Sequence, residues 1–457
     1  MAAAEPPEPP AEDASTPTEA APTPATRPVS TGRGALAIAS AKIWFIVTSY
    51  GIQLSLPRLL DSARDFGLYK STLAGVSILN NVLIVATIQS VSKFVSEQDD
   101  PGASSALLRQ GLRIQLMLGG LLAGLLFLGA PVLSELLLDE AVTPLLRIAC
   151  VVVFVYALYG AMVGSLNGRR LFLRQAGLDG TFSTLRATGI IGGAALGLGA
   201  FGALAGWAGA AVLVATVAFF VVRRDIFRTG DSPVSTRRWL AFMAPIWIYQ
   251  AALNGVLLLD VQVLKRTLAE VQLGLGATSE AAADVANEYV GYYGAAQTFA
   301  FVPYQLIIAL TFVIFPMISR ATSAGDREAA QETIRGAMRF SLLFLLSIAA
   351  PVAGAATGVL RIAYPVEYLV GAPALATLVF GLVAFALFAV CATAVGGARR
   401  PGTAAAVATV GVIVVVVAHR RLVMAAPDPA SALPAAALGT SLGMGTAFVL
   451  AAIAVYH

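Results

Sequence analysis

Residues 373–396 read PALATLVFGLVAFALFAVCATAVG, a stretch of 24 residues without a charged side chain. As an α-helix, a segment of about 20 apolar residues crosses the hydrocarbon core of a bilayer with all its backbone hydrogen bonds made internally. Similar stretches recur along the chain, which is 58% hydrophobic and 12% charged, whereas soluble domains carry about 25% charged residues. The sequence therefore predicts an all-α integral membrane protein.

Twelve transmembrane helices are predicted from these stretches, six in each half of the chain. Residues 1–33 are rich in Pro, Ala, Glu and Thr and have few large apolar side chains, so we expect a disordered cytoplasmic tail. An N-terminal six-helix bundle (34–228) and a C-terminal six-helix bundle (229–457) are expected to follow. The predicted spans are 34–56, 71–92, 108–130, 145–166, 178–199, 202–222, 238–261, 296–316, 338–360, 373–396, 402–419 and 434–456.

The distribution of Lys and Arg side chains indicates the orientation of these spans. With a cytoplasmic N-terminus and alternating spans, nineteen of the 30 basic residues lie inside, nine lie outside and two lie within spans. Lys70 and Lys265 are among the nine. Because cytoplasmic loops carry an excess of Lys and Arg, this count favours twelve spans with both termini in the cytoplasm.

The residue types that mark metal and nucleotide sites are sparse. Cys150 and Cys391 lie in apolar stretches without the spacing of metal ligands, and His419 and His457 are too few for a histidine-based centre. None of the four lysines follows a glycine, which excludes a P-loop. The modest net charge of +4 does not indicate nucleic-acid binding. We therefore predict no metal and no cofactor.

The two halves of the chain resemble each other. IWFIVTSYGIQLSL (43–56) corresponds to IWIYQAALNGVLLL (246–259), and a Gly-x-Tyr pair follows each segment in a predicted outer loop. Six spans per half make the repeat parallel, and transporters built from such repeats bind substrate between them. The two pairs are Gly67 with Tyr69 and Gly291 with Tyr293.

Charged side chains within spans indicate a binding site, because burying a charge in a bilayer is costly. Lys42 and Arg186 each lie about eight residues into a span, roughly 12 Å from its cytoplasmic end. Two cations at one depth suit a pyrophosphate group, to which Arg offers a planar fork and Lys a compact charge. Alternatively, they pair with Asp179 or extend to the inner surface.

Amide side chains recur at helical spacing in the first two spans of each half, so their polar faces are candidates for binding sugar hydroxyls. Hydrogen bonding between helices would use the same side chains, and both interpretations stay open. Asp179 and Asp260 are candidates for binding a coupling ion, although Asp260 also fits a position at the outer interface. The predicted substrate-binding residues are Lys42, Arg186, Gln53, Asn80, Asn81, Gln250, Asn254 and Gln297.

Three segments resemble the oligosaccharide flippases, the Wzx-type polysaccharide exporters of the MOP superfamily, and the order of these segments along the chain carries the resemblance. VGYYGAAQTFAFVPYQLIIALTFVIFPMISR (290–320) is similar to their G-x-Y-x-x-A…P…S-R segment, QSVSKFVSEQDD (89–100) to its first-half counterpart, and LYGAMVGSLNGRRLFLRQAG (158–177) to their fourth span. The likeness covers about residues 34–456. The matching motif residues are Gly291, Tyr293, Ala296, Pro316, Ser319 and Arg320.

This resemblance implies a membrane transporter rather than an enzyme, with two pseudo-symmetric helix bundles and alternating access to a central cavity. Its implied cargo is a polyprenyl-pyrophosphate-linked oligosaccharide, moved from the cytoplasmic to the outer leaflet. We expect the protein in the bacterial cytoplasmic (inner) membrane, and the acidic candidates above suggest a proton or cation as coupling ion. The 262–288 loop is longer than in many relatives. A lipid II flippase is the main alternative; a membrane glycosyltransferase or polymerase is less favoured because this loop has no paired-carboxylate or metal motif.

Overall fold

The computed structural model describes residues 29–232, 234–307, 327–397 and 401–456, so most of the predicted tail lies outside the described residues. Within these ranges the chain forms thirteen α-helices, one 3₁₀ helix (Val366–Gly371) and no strand. The α-helices are α1 (Val29–Leu59), α2 (Ala63–Ser96), α3 (Pro101–Leu137), α4 (Val142–Gly168), α5 (Phe172–Ala195), α6 (Gly199–Ile226), α7 (Thr236–Gly274), α8 (Ser279–Ala300), α9 (Arg327–Gly354), α10 (Ala356–Ala363), α11 (Ala372–Gly397), α12 (Pro401–Met424) and α13 (Pro429–Tyr456).

Nine of the helices in the described ranges are long and apolar enough to cross a membrane. The pair α9 and α10 makes a tenth if it forms one span, bent by 77° shortly after Pro351, as expected where proline interrupts the backbone ladder. The fifth predicted span is α5, which is less apolar because it carries Asp179 and Arg186. The eighth predicted span (296–316) begins in α8, and its residues 308–316 lie outside the described residues. The predicted multi-pass helical architecture is confirmed.

The second bundle repeats the packing of the first. In the first bundle α1 packs on α5, α2 on α4, and α6 on both α4 and α5. In the second bundle α7 packs on α12, α8 on α11, and α13 on both α11 and α12. Each contact therefore recurs between helices six spans later, which confirms the two pseudo-symmetric bundles. The bundles meet mainly where α2 packs against α7 and α8.

The prediction that the two Gly-x-Tyr pairs lie in loops is wrong, because both pairs lie within helices α2 and α8. These helices cross closely: a Cβ added to Gly67 would collide with the backbone carbonyl of Asn287, and one added to Gly291 with that of Ala63. The two glycines thus occupy reciprocal positions in the contact between the bundles.

The 262–288 segment is not a loop either. Helix α7 continues to Gly274 and α8 begins at Ser279, so only residues 275–278 connect them. Thr278 caps α8, since its side chain accepts a hydrogen bond from the backbone N–H of Ala281. Lys265 and Asn287, in these helix ends, contact Asp139 of the other bundle, and Lys265 is fully buried. Polarity therefore did not mark a loop here.

Candidate functional site

A cavity of about 280 Å³ lies between the two bundles. Helices α1, α2 and α5 of the first bundle line it together with α7, α8 and the residues just after α8 in the second. This position between the repeats is where transporters of parallel-repeat architecture bind substrate. The lining residues are Phe45, Ser49, Tyr50, Gln53, Lys70, Leu73, Ala74, Ser77, Asn81, Arg186, Leu258, Gln297, Thr298, Phe301 and Gln305.

Two cationic side chains, Arg186 and Lys70, stand in the cavity wall. The Nη1 of Arg186 donates to Ser49 Oγ at 3.2 Å, and its guanidinium lies 5.3 Å from the centre of the Phe45 ring. The Nζ of Lys70 lies 3.5 Å from Gln53 Oε1. In the part of the chain that the structure describes, no carboxylate forms an ion pair with either cation. Both charges therefore remain available to an anionic ligand.

Lys70 was expected in an outer loop, and this expectation is wrong because α2 begins seven residues earlier, at Ala63. The Ser62 side chain accepts a hydrogen bond from the Asp65 backbone N–H at 3.2 Å and so caps the helix. The local sequence Ser-Ala-Arg-Asp is a helix-start pattern that would have indicated this boundary. Across the bundle contact, Gly294 makes room for the stem of Lys70: an added Cβ would lie 2.6 Å from its Cε.

Lys42, the other predicted cation, does not line the cavity. Its side chain is 58% exposed, and its Nζ lies 3.8 Å from Asp179 Oδ2. Asp179, predicted as a candidate for ion coupling, is thus the partner of Lys42. The structure separates the two predicted cations: Arg186 turns towards the cavity, while Lys42 pairs outside it.

The predicted amide residues also divide into two groups. Gln53, Asn81 and Gln297 line the cavity. Asn254 instead bridges helices, accepting from Asn81 Nδ2 across the bundles at 2.8 Å and donating to the backbone carbonyl of Gln250, also at 2.8 Å. Asn80, Gln250 and Asn254 are buried but do not line the cavity.

Asp260 lies beside the cavity and is fully buried. Because α7 continues to Gly274, this residue lies within the helix, where it contacts α8 and α13. Its carboxylate accepts hydrogen bonds from Tyr293 Oη at 2.8 Å and from Gln297 Nε2 at 3.0 Å. Thr440 lies 3.5 Å from the same carboxylate. Since Gln297 also lines the cavity, one amide joins the cavity wall to the buried acid.

Aromatic rings pack across the two bundles on the side where α1 ends and α2 begins. This side is called the outer side below because the predicted topology places it outside. Tyr364 donates from its hydroxyl to the Gln53 carbonyl at 3.4 Å. Tyr368 packs edge-on against Phe66 of α2 and Tyr292 of α8, with ring centres 6.0 and 5.5 Å apart. The segment after α10 thus spans both bundles.

Comparison with known proteins agrees with this architecture. A family model described as "Polysaccharide biosynthesis protein" matches residues 32–322. The search of curated proteins finds no match. Solved structures are similar along almost the whole chain, and at about 15% identity they show the fold.

A structure of the lipid II flippase MurJ in an inward closed conformation has 15% identity and a TM-score of 0.71, covering 93% of this chain and 87% of that one. An inward-facing multidrug resistance MATE family transporter of the MOP superfamily also has 15% identity and a TM-score of 0.71, covering 92% and 98%. A MOP superfamily transporter from Pyrococcus furiosus has 14% identity and a TM-score of 0.61, covering 93% and 95%.

The family match confirms the predicted resemblance to a polysaccharide biosynthesis family, and the solved structures show a fold shared with transporters of the MOP superfamily. The matched region contains the whole first bundle and the α7–α8 part of the second, including every residue of the cavity wall. This chain belongs to the polysaccharide biosynthesis protein family.

Proposed function

We propose that the chain is a flippase that moves a polyprenyl-pyrophosphate-linked oligosaccharide from the cytoplasmic to the outer leaflet by alternating access. The observation that carries this proposal is that two cations, Lys70 and Arg186, line a cavity between two pseudo-symmetric bundles and form no ion pair in the described part of the chain. A pyrophosphate group suits such a pair, since charge-assisted hydrogen bonds to Arg and Lys are among the strongest available. Gln53, Asn81 and Gln297 supply the amides that sugar hydroxyls need.

The closed outer side supports the proposed direction of transport. With both termini in the cytoplasm of a bacterial cell, the aromatic rings around Tyr364 and Tyr368 join the two bundles on the outer side. A lipid-linked substrate would then enter from the inner leaflet. Release to the outer leaflet would require the bundles to separate on the outer side.

The proposal is tested with proteoliposomes that contain a polyprenyl-pyrophosphate-linked oligosaccharide labelled on its sugar with a dye that membrane-impermeant dithionite reduces. With the protein present, we expect dithionite to reduce labelled lipid from both leaflets. Vesicles without protein should lose only the signal of their outer leaflet. Reduction that stops at this fraction with the protein present would contradict the flippase assignment.

A lipid II flippase is the second candidate, favoured by the similarity to the MurJ structure. Lipid II also carries a polyprenyl pyrophosphate, so the same two cations would serve it. The assay repeated with labelled lipid II separates the candidates: we expect slower flipping of lipid II than of the oligosaccharide. Faster flipping of lipid II would reverse the assignment.

We further propose that a proton or a monovalent cation drives transport through Asp260. Asp260→Asn is expected to abolish the stimulation of flipping by an ion gradient, because an amide neither takes up a proton nor carries a negative charge. The measurement compares flipping rates with and without an imposed proton or sodium gradient. Asp428→Asn is the matched control, since Asp428 is exposed between α12 and α13. Undiminished stimulation in Asp260→Asn would show that another group couples transport.

A further inference from the structure

A fully buried ion pair joins the two bundles on the outer side. Lys265 of α7 has no exposed side-chain surface, and its Nζ lies 2.7 Å from Asp139 Oδ2. Asp139 belongs to the short connection between α3 and α4, in the other bundle. Two further partners complete the cluster: Asn287 donates to the same Asp139 oxygen at 2.8 Å, and Ser71 accepts from Lys265 at 3.2 Å. Each bundle therefore contributes two of the four side chains.

The carboxylate of Asp139 is held in place by its own bundle. The backbone N–H of Ala141 donates to Asp139 Oδ1 at 3.0 Å, and Ser134 Oγ donates to the Asp139 carbonyl at 2.7 Å. Burial acts to raise the pKa of Asp139, but the nearby Lys265 ammonium and the donors from Asn287 and Ala141 outweigh it and lower the pKa. Asp139 is therefore ionised at neutral pH and presents a fixed negative charge to Lys265.

A buried ion pair suits a contact that has to open and close repeatedly. When two apolar surfaces separate, all their area returns to water at a cost, whereas two separated charges regain hydration that offsets much of their lost attraction. Loss of one partner destabilises the closed state, because the remaining charge stays buried without compensation for as long as the bundles are closed.

A second ion pair crosses between the bundles nearby but differs in exposure. Arg64 of α2 pairs with Asp284 of α8, and their side chains are 41% and 40% exposed. Exposed pairs contribute little because water and salt screen them. We therefore expect changes of charge at Lys265 and Asp139 to affect closure of the outer side more than changes at Arg64 and Asp284.

We propose that Lys265 and Asp139 form a latch that holds the outer side closed and that separates whenever the cavity opens outward. The latch rests on the proposed alternating access, but it concerns the conformation of the protein and not the identity of its cargo. Its test therefore needs no substrate, and it can fail while the flippase assay succeeds.

The distance between the outer ends of the bundles measures the state of the latch. Spin labels at Leu196→Cys and Leu275→Cys report it, because these residues are 75% and 76% exposed on the outer side of the first and second bundle. The buried Cys150 and Cys391 are replaced by alanine. Double electron–electron resonance then gives the distance distribution of the full-length protein in lipid nanodiscs.

Asp139→Asn and Lys265→Met are each expected to move the distribution to longer distances, with the open-to-closed ratio rising about a hundredfold, because each leaves one unpaired buried charge. The double variant Lys265→Met with Asp139→Leu is expected to return to the closed distribution, since it buries no charge. Arg64→Gln is the control for loss of an exposed pair and should change little.

Unchanged distributions in both single variants would overturn the latch, and so would an open distribution in the double variant. If neither single variant is recovered from the membrane, Asn287→Ala decides the question, because it removes one donor to Asp139 without leaving an unpaired charge. We expect a smaller shift in the same direction for this variant. A distribution identical to that of the unsubstituted protein would then contradict the proposal.

Discussion

Replacing Lys70 and Arg186 together by glutamine is expected to abolish transport of the lipid-linked oligosaccharide while the protein still inserts and folds. Each cation offers charge-assisted hydrogen bonds worth about 1.5–3 kcal/mol. Loss of both should therefore weaken binding of a pyrophosphate by about a hundredfold to ten-thousandfold. Neither side chain forms an ion pair in the described part of the chain, although loss of Lys70 also removes a positive charge that acts on the buried carboxylate of Asp260.

The dithionite assay measures this loss, and size-exclusion chromatography of the purified variant checks its folding. Lys42→Gln is the matched control: it removes one positive charge from an exposed side chain outside the cavity. We expect this control to keep most of its activity. A folded double variant with full activity would refute the cavity as the pyrophosphate site, and a greater loss in Lys42→Gln would relocate the site.

Gly67→Ala is expected to prevent closure of the outer side and thereby to stop transport. The added Cβ would collide with the backbone carbonyl of Asn287, which belongs to a helix and cannot turn aside as a side chain can. Inserting a methyl group into a packed contact costs about 1–3 kcal/mol, and this contact lies between two rigid helices. The closed state should lose up to about a hundredfold in population.

The same spin-label distances report this change, and the flipping assay reports its consequence. Gly291→Ala should act alike, since its Cβ would collide with the carbonyl of Ala63 in the reciprocal position. Gly51→Ala is the control, because an added Cβ in that part of α1 meets no atom within 4 Å. Closed distances and normal flipping in Gly67→Ala would show that the bundles do not approach as closely in the membrane.

Local sequence properties were sufficient to predict the architecture. Apolar stretches such as 373–396 identify spans because a bilayer imposes the same requirement on each helix independently of its neighbours. The parallel repeat was predicted from segments 43–56 and 246–259, which both begin with Ile-Trp and share leucines near their ends. Likewise Arg186 was predicted as a cavity cation, because a charge within a span has few alternatives to a polar interior.

Hydrophobicity alone did not predict the helix boundaries on the outer side, although the pattern at residues 62–65 marks the start of α2. Lys70 and Lys265 were placed in outer loops because polar residues at the end of an apolar stretch normally meet water. In the folded chain they meet the other bundle, so α2 begins before Lys70 and α7 continues past Lys265.

The sequence by itself determined that this chain crosses a membrane many times as two related bundles, because hydrophobic length and charge distribution are properties of each segment alone. Only the tertiary structure decided which charges meet. Arg186 contacts Ser49, and Lys265 contacts Asp139, across sequence separations of 137 and 126 residues. Lys42 was equally eligible by spacing, yet Asp179 binds it outside the cavity. Such pairings depend on how separate helices pack against each other, within a bundle and between the two bundles, which no single segment encodes.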